Sequence, residues 1–524
     1  MDPSAAVRSA RVHAQRVRTD VAIIGAGAAG LYAASVLDDG LDVVVIDKGR
    51  IDHSSGSSPW AQGGLAAAVG EDDDPAQHAH DTMMAGDGLC DASAVDVLTR
   101  NAPRHVEALV TLGAAFDRDA SGALSLAREG GQHRARSVRR ADATGAELIR
   151  VLRHVAAARV SRLEGIAIEL GRADDGTVGG VWVLADGQLV AVEARAVVLA
   201  TGGSGALFAA TTNPAGATGD ALALASAAGA AVRDVEFVQF HPTALAATGQ
   251  RRFLLTEALR GAGATLHDVD GHRFMQDVHP DGELAPRHIV AGAILDQTDA
   301  VAYLDATILG STVLEHEFPT AMAGAGEAGF DLRTDRVPVT PAAHYHMGGV
   351  RTDLFGRTSA PGLFACGEAA STGVHGANRL AGNSLSEALV FGARAAETAE
   401  AELRSHAGPL GLPPRLARHR RDDAATRLDD LRIRMLRDAG PRRSASALAD
   451  LDAWLAEQTA TFGAPVADRD SIEVHHALRA AALIVRAAQL RNESRGGHYR
   501  SDAPTRDPKL DGVHLELIAD VVGQ

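Results

Sequence analysis

The stretch VAIIGAGAAG, residues 21–30, decides the fold of this chain. It joins a short apolar run to an alanine-rich helical pattern that extends to Leu37, and a second apolar run, residues 43–46, ends at Asp47. A strand, a glycine-rich turn, a helix, a second strand and an acid in this order form the dinucleotide-binding fingerprint. The stretch therefore predicts an α/β domain with a nucleotide at the carboxyl ends of its strands.

The glycines of this fingerprint each have a physical role. Gly25 permits a tight turn, Gly27 lets the backbone approach a pyrophosphate, and Gly30 lets helix and strand pack closely. The helix N-terminus presents N–H groups and a favourable dipole to phosphates, and Asp47 can accept hydrogen bonds from ribose hydroxyls. A glycine-rich turn without a ligand is the alternative, but the strand, helix and acid context favours a nucleotide. The predicted cofactor contacts are Gly25, Ala26, Gly27, Ala28, Ala29, Gly30, Asp47 and Lys48.

Two later segments repeat the pattern of a strand that ends in glycines. Residues 179–184 and 189–194 predict a hairpin through Asp186-Gly187, and AVVLATGG, residues 196–203, continues from it. The segment GLFACGE ends at Glu368. Three strand ends directed at one ligand exceed the needs of a mononucleotide, so we expect a long cofactor such as FAD, with Glu368 near its ribityl chain.

Composition and charge restrict the class of protein. A chain of 524 residues predicts about two to four domains. The formal charge of −16 disfavours nucleic acid and anionic membranes as partners, and no apolar run is long enough for a transmembrane helix. The segment Met1–Asp20 lacks the apolar core of a secretory signal, and the two cysteines, Cys90 and Cys366, have no metal-binding spacing. We expect a cytoplasmic protein without a metal site.

The predicted fold class is α/β: a Rossmann-like FAD-binding domain with an inserted α+β capping domain and a C-terminal helical bundle. The nucleotide-binding pattern is interrupted after residue 233 and resumes near residue 344, and helical spacing of leucines dominates after residue 408. The predicted boundaries are 1–233 and 344–408 for the FAD-binding domain, 234–343 for the cap and 409–524 for the helices.

Several motifs resemble the succinate dehydrogenase/fumarate reductase flavoprotein family. They are SSPWAQGG (57–64), FHPTAL (240–245), APRHIVAGAI (285–294), HYHMGGV (344–350), HGANRLAGNSLSEALVFG (375–392) and RNESRG (491–496). Within the family the chain is most similar to the members that oxidise L-aspartate to iminoaspartate. That resemblance implies FAD as cofactor, fumarate or oxygen as electron acceptor, and the first step of de novo NAD synthesis.

The resemblance also implies how FAD is held. Respiratory members carry FAD covalently on a histidine five positions before the AQGG glutamine, but that position here is Ser57, so non-covalent FAD is expected. Asp220 lies where the family contacts FAD, although a helix N-cap is an alternative interpretation. The further contacts implied are Ser57, Ser58, Trp60, Ala61, Gln62, Gly63, Gly64, Asp220, Asn383, Ser384 and Leu385.

The same resemblance assigns a site for a four-carbon dicarboxylate. Arg287 matches the proton-transfer arginine, and Glu129 would anchor the substrate ammonium or accept a proton from it. Glu257 would orient Thr256 or contact the substrate. The residues expected to bind substrate are His241, Thr256, Glu257, His344 and Arg379.

Two alternatives to aspartate oxidation remain open at this point. A fumarate reductase or succinate dehydrogenase-type flavoprotein would use the same histidines and arginines. A non-enzymatic flavin-binding protein would retain the fold, although the complete set of carboxylate-binding residues argues against it. The predicted small-molecule partners are L-aspartate and fumarate, and quinolinate synthase is the expected next enzyme.

Overall fold

The computed structural model describes residues 15–49, 56–173, 175–246, 249–405, 410–411, 413–417 and 423–518. Most of the segment Met1–Asp20 and the predicted domain boundary at residue 408 lie outside the described residues. The predicted domain boundaries stay predictions.

The N-terminal half contains the nucleotide-binding fold. The elements are β1 (Gln15–Ile24), α1 (Ala28–Val36), β2 (Val43–Asp47), β3 (Leu65–Ala66), α2 (Pro75–Ala85), α3 (Ala92–Thr111), β4 (Leu126–Ala127), β5 (Ser137–Val138), α4 (Thr144–Ala157), β6 (Ser161–Glu164), β7 (Ile166–Arg172), β8 (Val178–Ala185), β9 (Gln188–Leu199), α5 (Asp220–Ala227) and β10 (Val232–Arg233).

A second group of elements follows, which contains most of the predicted cap. It comprises β11 (Val238–Leu245), α6 (Glu257–Gly261), β12 (Thr265–His267), α7 (Met275–Val278), α8 (Arg287–Leu295), β13 (Ala302–Asp305), α9 (Gly310–Glu317), α10 (Pro319–Glu327) and β14 (Arg336–His346). Its strands form an antiparallel sheet in the order β11, β14, β13, β12.

The remaining elements complete the nucleotide-binding fold and form the helical end of the chain. They are β15 (Gly349–Arg351), β16 (Leu363–Ala365), β17 (Ala370–Ser371), α11 (Asn383–Ala401), α12 (Ala424–Asp438), α13 (Ala445–Phe462), α14 (Arg469–Leu490) and β18 (Glu516–Leu517). Buried leucines at helical spacing join α12, α13 and α14 in one core, as the sequence predicted.

The large sheet has seven strands, with β1 at its centre between β2 and β9. Strands β2, β1, β9 and β16 are mutually parallel, whereas β7, β8 and β9 form an antiparallel extension. Successive residues of β1 enter opposite cores: Val21 and Ile23 pack with the helices α1, α4 and α11, and Ala22 and Ile24 pack on the side of α5. The predicted hairpin is confirmed, with Asp186 and Gly187 in the left-handed region.

This arrangement confirms the predicted fold class: an α/β nucleotide-binding fold with an inserted α+β unit and a helical C-terminal region. Among the described helices, none combines the length and apolarity required to span a bilayer. In the same part of the chain, no group of histidine, cysteine, aspartate and glutamate side chains has a geometry suited to a metal ion.

Candidate active site

The carboxyl ends of four parallel strands meet at one edge of the large sheet and form the floor of a long cleft. The segments that follow β1, β2, β9 and β16 begin at Gly25, Lys48, Ala200 and Cys366, and all four residues line the cleft. Open α/β sheets bind ligands at this edge. The repeated strand ends in the sequence therefore converge, as expected for one extended ligand.

Two helix N-termini that point into this cleft are suited to a dinucleotide. The helices α1 and α11 begin after Gly27 and Gly382, and neither glycine can cap its helix with a side chain. The N–H of Ala28 at the start of α1 donates to Ser58 Oγ at 3.0 Å, and first-turn N–H groups without such a partner can donate to phosphate or other electron-rich acceptors. Asp47 accepts from the backbone N–H of Ala26 at 3.1 Å, which ties the acid to the glycine turn. This donor set fits the FAD that the motifs predict.

Most of the predicted cofactor residues line the cleft. Gly30 instead packs behind it, because a Cβ there would lie 2.0 Å from the carbonyl oxygen of Gly25. Asn383 also points away, since its side-chain amide bonds His78 at 2.8 Å and Thr82 at 2.9 Å. The predicted residues in the cleft are Gly25, Ala26, Gly27, Ala28, Ala29, Asp47, Lys48, Ser57, Ser58, Trp60, Ala61, Gln62, Gly63, Gly64, Asp220, Glu368, Ser384 and Leu385.

Asp220 forms a buried ion pair at one end of the cleft. Lys48 Nζ lies 2.8 Å from its carboxylate, and His476 Nδ1 on helix α14 lies at 3.7 Å. Burial alone would raise the pKa of Asp220, but Lys48 and His476 outweigh it and lower the pKa, so the carboxylate stays ionised. Gly219 is the N-cap of α5 and Asp220 its first residue, so the N-cap alternative for Asp220 is wrong.

Glu368 is a buried carboxylate whose protonation is finely balanced. Burial raises the pKa of Glu368 to about 7, although the backbone N–H of His346 donates to its Oε1 at 2.9 Å. The imidazole of His346 bonds Ser204 and the carbonyl of Val235, which makes His346 a structural residue. Glu368 can therefore exchange hydrogen bonds with hydroxyl groups of a ligand as donor or acceptor.

Two neutral histidines face each other across the strands β11 and β14. The ring centroids of His241 and His344 lie 5.0 Å apart. Burial, followed by the charge of Arg287, lowers the pKa of both rings well below the usual value. Because His241 Nδ1 accepts from the N–H of Thr243 at 3.2 Å, its proton lies on Nε2. His344 Nδ1 bonds Thr212 Oγ1 at 2.8 Å. His241 can offer its Nε2–H to a carboxylate, and His344 can do the same in the tautomer in which Thr212 donates to its Nδ1.

Two arginines share one acceptor in the same part of the cleft. Arg287 Nη1 and Arg379 Nη2 donate to Oε1 of Gln239 at 2.8 Å and 3.1 Å. The guanidinium of Arg379 also lies 4.6 Å from the ring centre of Tyr345 and donates to Ser384 Oγ at 3.2 Å. Burial and the charge of Arg287 lower the pKa of Arg379 to about 10, so Arg379 stays cationic near neutral pH.

Glu257 holds one of these arginines in place. Its Oε2 accepts from Arg287 Nε at 2.7 Å, and its Oε1 accepts from Arg260 at 3.1 Å. Burial would raise the pKa of Glu257, but the two arginines outweigh it and lower the pKa. Thr256 caps helix α6 by accepting from the N–H of Ala258. Glu257 therefore orients Arg287, and none of its described hydrogen bonds reaches Thr256.

Glu129 lies on the loop between β4 and β5 and reaches the same cleft. Its Oε1 accepts from the backbone N–H of Gly64 at 3.0 Å, and the side chain is 4% exposed. Burial raises the pKa of Glu129, the neighbouring Glu257 raises it further, and Gly64 and Arg287 oppose them. The structure therefore gathers all seven predicted catalytic and substrate residues in one cleft: Glu129, His241, Thr256, Glu257, Arg287, His344 and Arg379.

Sequence reasoning missed two residues that organise this site. Gln239 bridges the two arginines, and Tyr345 packs under Arg379 while donating to Glu387 at 2.9 Å. Gln239 precedes His241 by two positions on one strand, and this alternation was a signal that both side chains share a face. Tyr345 follows His344 directly, so the same alternation would have placed it on the other face.

Comparison with known proteins agrees with this geometry. The family described as FAD binding domain matches residues 20–385, and the family described as Fumarate reductase flavoprotein C-term matches residues 467–513. The FrdA chain of E. coli quinol fumarate reductase, solved as a point mutant, superposes with a TM-score of 0.88 at 31% identity over 97% of this chain and 96% of that chain. Sdh1 of Mycobacterium smegmatis, in complex with UQ1, superposes with a TM-score of 0.81 at 32% identity over 96% of this chain and 92% of that chain.

Fold and site together define an FAD-dependent oxidoreductase of the succinate dehydrogenase/fumarate reductase class. L-aspartate oxidase of Caulobacter vibrioides is 47% identical over 499 residues, which is 93% of this chain and 94% of that protein. L-aspartate oxidase of Streptomyces coelicolor is also 47% identical and covers 94% of this chain and 90% of its own length. The chain belongs to the L-aspartate oxidase family, and the resemblance drawn from the motifs is confirmed.

Proposed function

We propose that this protein oxidises L-aspartate to iminoaspartate with non-covalently bound FAD, as the first step of de novo NAD synthesis, and uses fumarate or oxygen as electron acceptor. The observation that carries the proposal is one cleft lined by buried side chains that include two arginines, two neutral histidines and the carboxylate of Glu129. L-aspartate has two carboxylates and one ammonium group. The charges of the cleft complement both kinds of group.

The cationic side of the site binds the two carboxylates. Arg379 is held from three directions, so its guanidinium is positioned to form a forked pair with one carboxylate. His241 and His344 donate N–H groups, and the Thr256 hydroxyl adds a further donor. A hydrogen bond to a charged group contributes about 1.5–3 kcal/mol, so loss of one such donor weakens binding by about one to two powers of ten.

The anionic side of the site recognises the ammonium group. Glu129 is buried next to Glu257, and both circumstances raise the pKa of Glu129. A cation that enters beside Glu129 favours the ionised carboxylate, and the two groups then stabilise each other. The carboxylate also has the geometry to accept a proton from the ammonium. Dicarboxylates without an amino group gain nothing from this contact.

The chain supplies orientation and a proton around the cofactor. When bound, FAD supplies the hydride acceptor. Arg379 and the histidines would fix the two carboxylates and so the orientation of the substrate in the cleft, while residues between β11 and β14 line the site and limit water. In the fumarate direction Arg287 donates a guanidinium proton to the substrate carbon. Glu257 and Gln239 fix Arg287 in the orientation that this transfer needs.

An anaerobic flavin titration tests the proposed function. The purified holoenzyme is mixed with L-aspartate or succinate without oxygen, and the visible flavin absorbance is recorded. We expect L-aspartate to bleach the flavin and fumarate to restore the absorbance. Bleaching by succinate combined with no response to L-aspartate would assign the protein to the alternative reaction. An absorbance unchanged by every substrate would mean that the flavin is bound without catalysis.

The second candidate is a fumarate reductase or succinate dehydrogenase-type activity, favoured by the structural similarity to fumarate reductase chains. The variant Glu129→Gln separates the two candidates because it removes the negative charge and keeps the side-chain shape. We expect kcat/KM for L-aspartate to fall by about ten- to a hundredfold and that for fumarate to change little. An equal loss with both substrates would remove the proposed ammonium contact.

Ser57 supports non-covalent attachment of FAD. Its hydroxyl accepts from the side-chain amide of Asn213 at 3.1 Å, and a serine has no ring nitrogen to bond the flavin. We expect trichloroacetic acid to release all flavin into the supernatant and to leave a colourless pellet. Yellow colour retained in the washed pellet would contradict this prediction.

The proposed partner enzyme follows from the chemistry of the product, iminoaspartate. Iminoaspartate hydrolyses readily, so an enzyme that consumes it, quinolinate synthase, is the proposed next partner. Cys90 and Cys366 are unpaired thiols, consistent with the cytoplasmic location proposed for the reaction.

A further inference from the structure

The loop that carries Glu129, residues 128–136 between β4 and β5, has little intrinsic rigidity at its tip. Gly130 and Gly131 follow Glu129 directly, and Gly131 adopts a left-handed conformation with φ of 79°. Two consecutive glycines allow many backbone conformations. The N–H of Gly64 bonds the Glu129 carboxylate at 3.0 Å, but the backbone that carries this side chain must be held by contacts that other residues of the loop make.

Gln132 makes the contacts that close this loop. Its Oε1 accepts from the backbone N–H of Glu129 at 3.0 Å, and its own N–H donates to the carbonyl of Glu129 at 3.1 Å. Its Nε2 donates to Ser137 Oγ and to the carbonyl of Ala381, each at 3.1 Å. The side chain is 1% exposed. The buried side-chain amide thus joins the backbone N–H of Glu129 to Ala381, two residues beyond Arg379.

The distal part of the loop is attached separately to helix α2. The N–H of His133 donates to Asp81 Oδ2 at 2.9 Å, and the buried guanidinium of Arg136 lies 3.0 Å from Asp81 and 3.1 Å from Asp73. These bonds hold the loop as a whole but do not touch its tip. Only the amide of Gln132, among the described contacts, bonds the backbone of Glu129 and the arginine-bearing segment together.

We propose that Gln132 is a positioning residue that fixes the distance between the Glu129 carboxylate and the Arg379 guanidinium. By fixing this distance, Gln132 sets the preference for amino-dicarboxylates over dicarboxylates that lack an amino group. This inference rests on the proposed oxidation of L-aspartate. An ammonium and a carboxylate of one small substrate lie a fixed distance apart, so their two protein partners must be held at a matching distance. The side chain of Gln132 supplies a hydrogen-bonded link between the backbone segments that carry those partners.

Arg379 does not depend on Gln132 for its own position. Gln239, Ser384 and Tyr345 hold the guanidinium, and none of them bonds Gln132 in the described structure. Loss of the Gln132 amide therefore frees the tip of the loop and leaves the carboxylate-binding side in place. Binding of the substrate ammonium group should therefore weaken much more than binding of fumarate.

The variant Gln132→Met tests the inference, because methionine has a similar length and shape but cannot form the hydrogen bonds that the amide makes with Glu129, Ser137 and Ala381. The control is Thr398→Val, which removes a buried hydroxyl bond to the carbonyl of Arg394 on the distal half of α11. Both holoenzymes are assayed with L-aspartate and with fumarate, and their thermal unfolding midpoints are measured. Gln132→Asn, too short to span the same gap, provides a second variant if the methionine variant does not fold.

We expect Gln132→Met to lower kcat/KM for L-aspartate by about ten- to a hundredfold, mainly through KM, and to change kcat/KM for fumarate less than about threefold. The Thr398→Val control should leave the ratio of the two activities unchanged. In a background of Glu129→Gln, the additional change Gln132→Met should have no further effect on L-aspartate, because both substitutions remove the same contact.

Two outcomes would overturn the inference. Equal losses with L-aspartate and fumarate would show that Gln132 acts only on general stability, and fully additive effects of the two substitutions would show that it does not act through Glu129. Failure of the unaltered protein to oxidise L-aspartate is a different result, since it would contradict the proposed function itself.

Discussion

Replacing Arg287 by glutamine is expected to lower kcat for fumarate reduction by about 10²–10⁴-fold, the usual contribution of a positioned general acid. Glutamine cannot carry the proton that the guanidinium would deliver. It also leaves the Oε2 atom of Glu257 without the Nε donor that lies at 2.7 Å. Oxidation of L-aspartate should fall less at saturating substrate, because a protonated guanidinium is a poor base and transfers no proton in that direction. Steady-state assays of both reactions measure the difference.

Arg273→Gln is the matched control for this variant. Arg273 lies in the same inserted region and forms a forked pair with Glu283, with bonds of 2.8 Å and 2.7 Å, but it does not line the cleft. The control removes a comparable ion pair and should leave both activities within about twofold, since substitutions away from the site have small effects. Equal losses of both reactions in the Arg287 variant would assign Arg287 to substrate binding instead of proton transfer.

The nucleotide-binding half of the fold could be predicted because its signals are local. The glycines at 25 and 30 each meet a backbone constraint that only glycine satisfies, and the apolar runs on either side of the glycine turn match β1 and β2. The leucine spacing after residue 423 similarly predicted α12, α13 and α14. Such patterns depend on neighbours in the sequence, so no knowledge of tertiary packing was needed.

The organisation of the site depended on contacts that the sequence does not show. Gln239 lies far in sequence from Arg287 and Arg379. Only the packing of β11 against the segments that carry these arginines shows that Oε1 of Gln239 accepts from both. The resemblance to a family supplied the residue types at Glu257 and Asn383 but not their partners. In the folded chain Glu257 bonds Arg287, and Asn383 bonds two side chains of α2.

Replacing Gly25 by alanine is expected to destabilise the protein by about 2–6 kcal/mol and to abolish FAD binding. Gly25 has φ of 113°, and an added Cβ would lie 2.2 Å from the carbonyl oxygen and 2.6 Å from the carbonyl carbon of Ala200. Both are backbone atoms of the central sheet region, so the clash cannot be relieved by a side-chain rotation. The clash also pushes the turn after β1 away from the end of β9, and this movement widens the edge of the sheet at which the phosphates would bind. Urea unfolding and the flavin-to-protein ratio after gel filtration measure the two effects.

The variant Gly187→Ala separates the steric clash from backbone strain. Gly187 also has a positive φ, 73°, but nothing lies within 4 Å of an added Cβ, and the residue belongs to the remote hairpin turn between β8 and β9. Backbone strain alone lowers the free energy of unfolding by about 1–2 kcal/mol, so this variant should unfold at a slightly lower urea concentration and retain its full FAD content. If Gly25→Ala behaved in the same way as Gly187→Ala, close approach of Gly25 to Ala200 would not be required for cofactor binding. The physical reason given for the first glycine of the fingerprint would then be wrong in this protein.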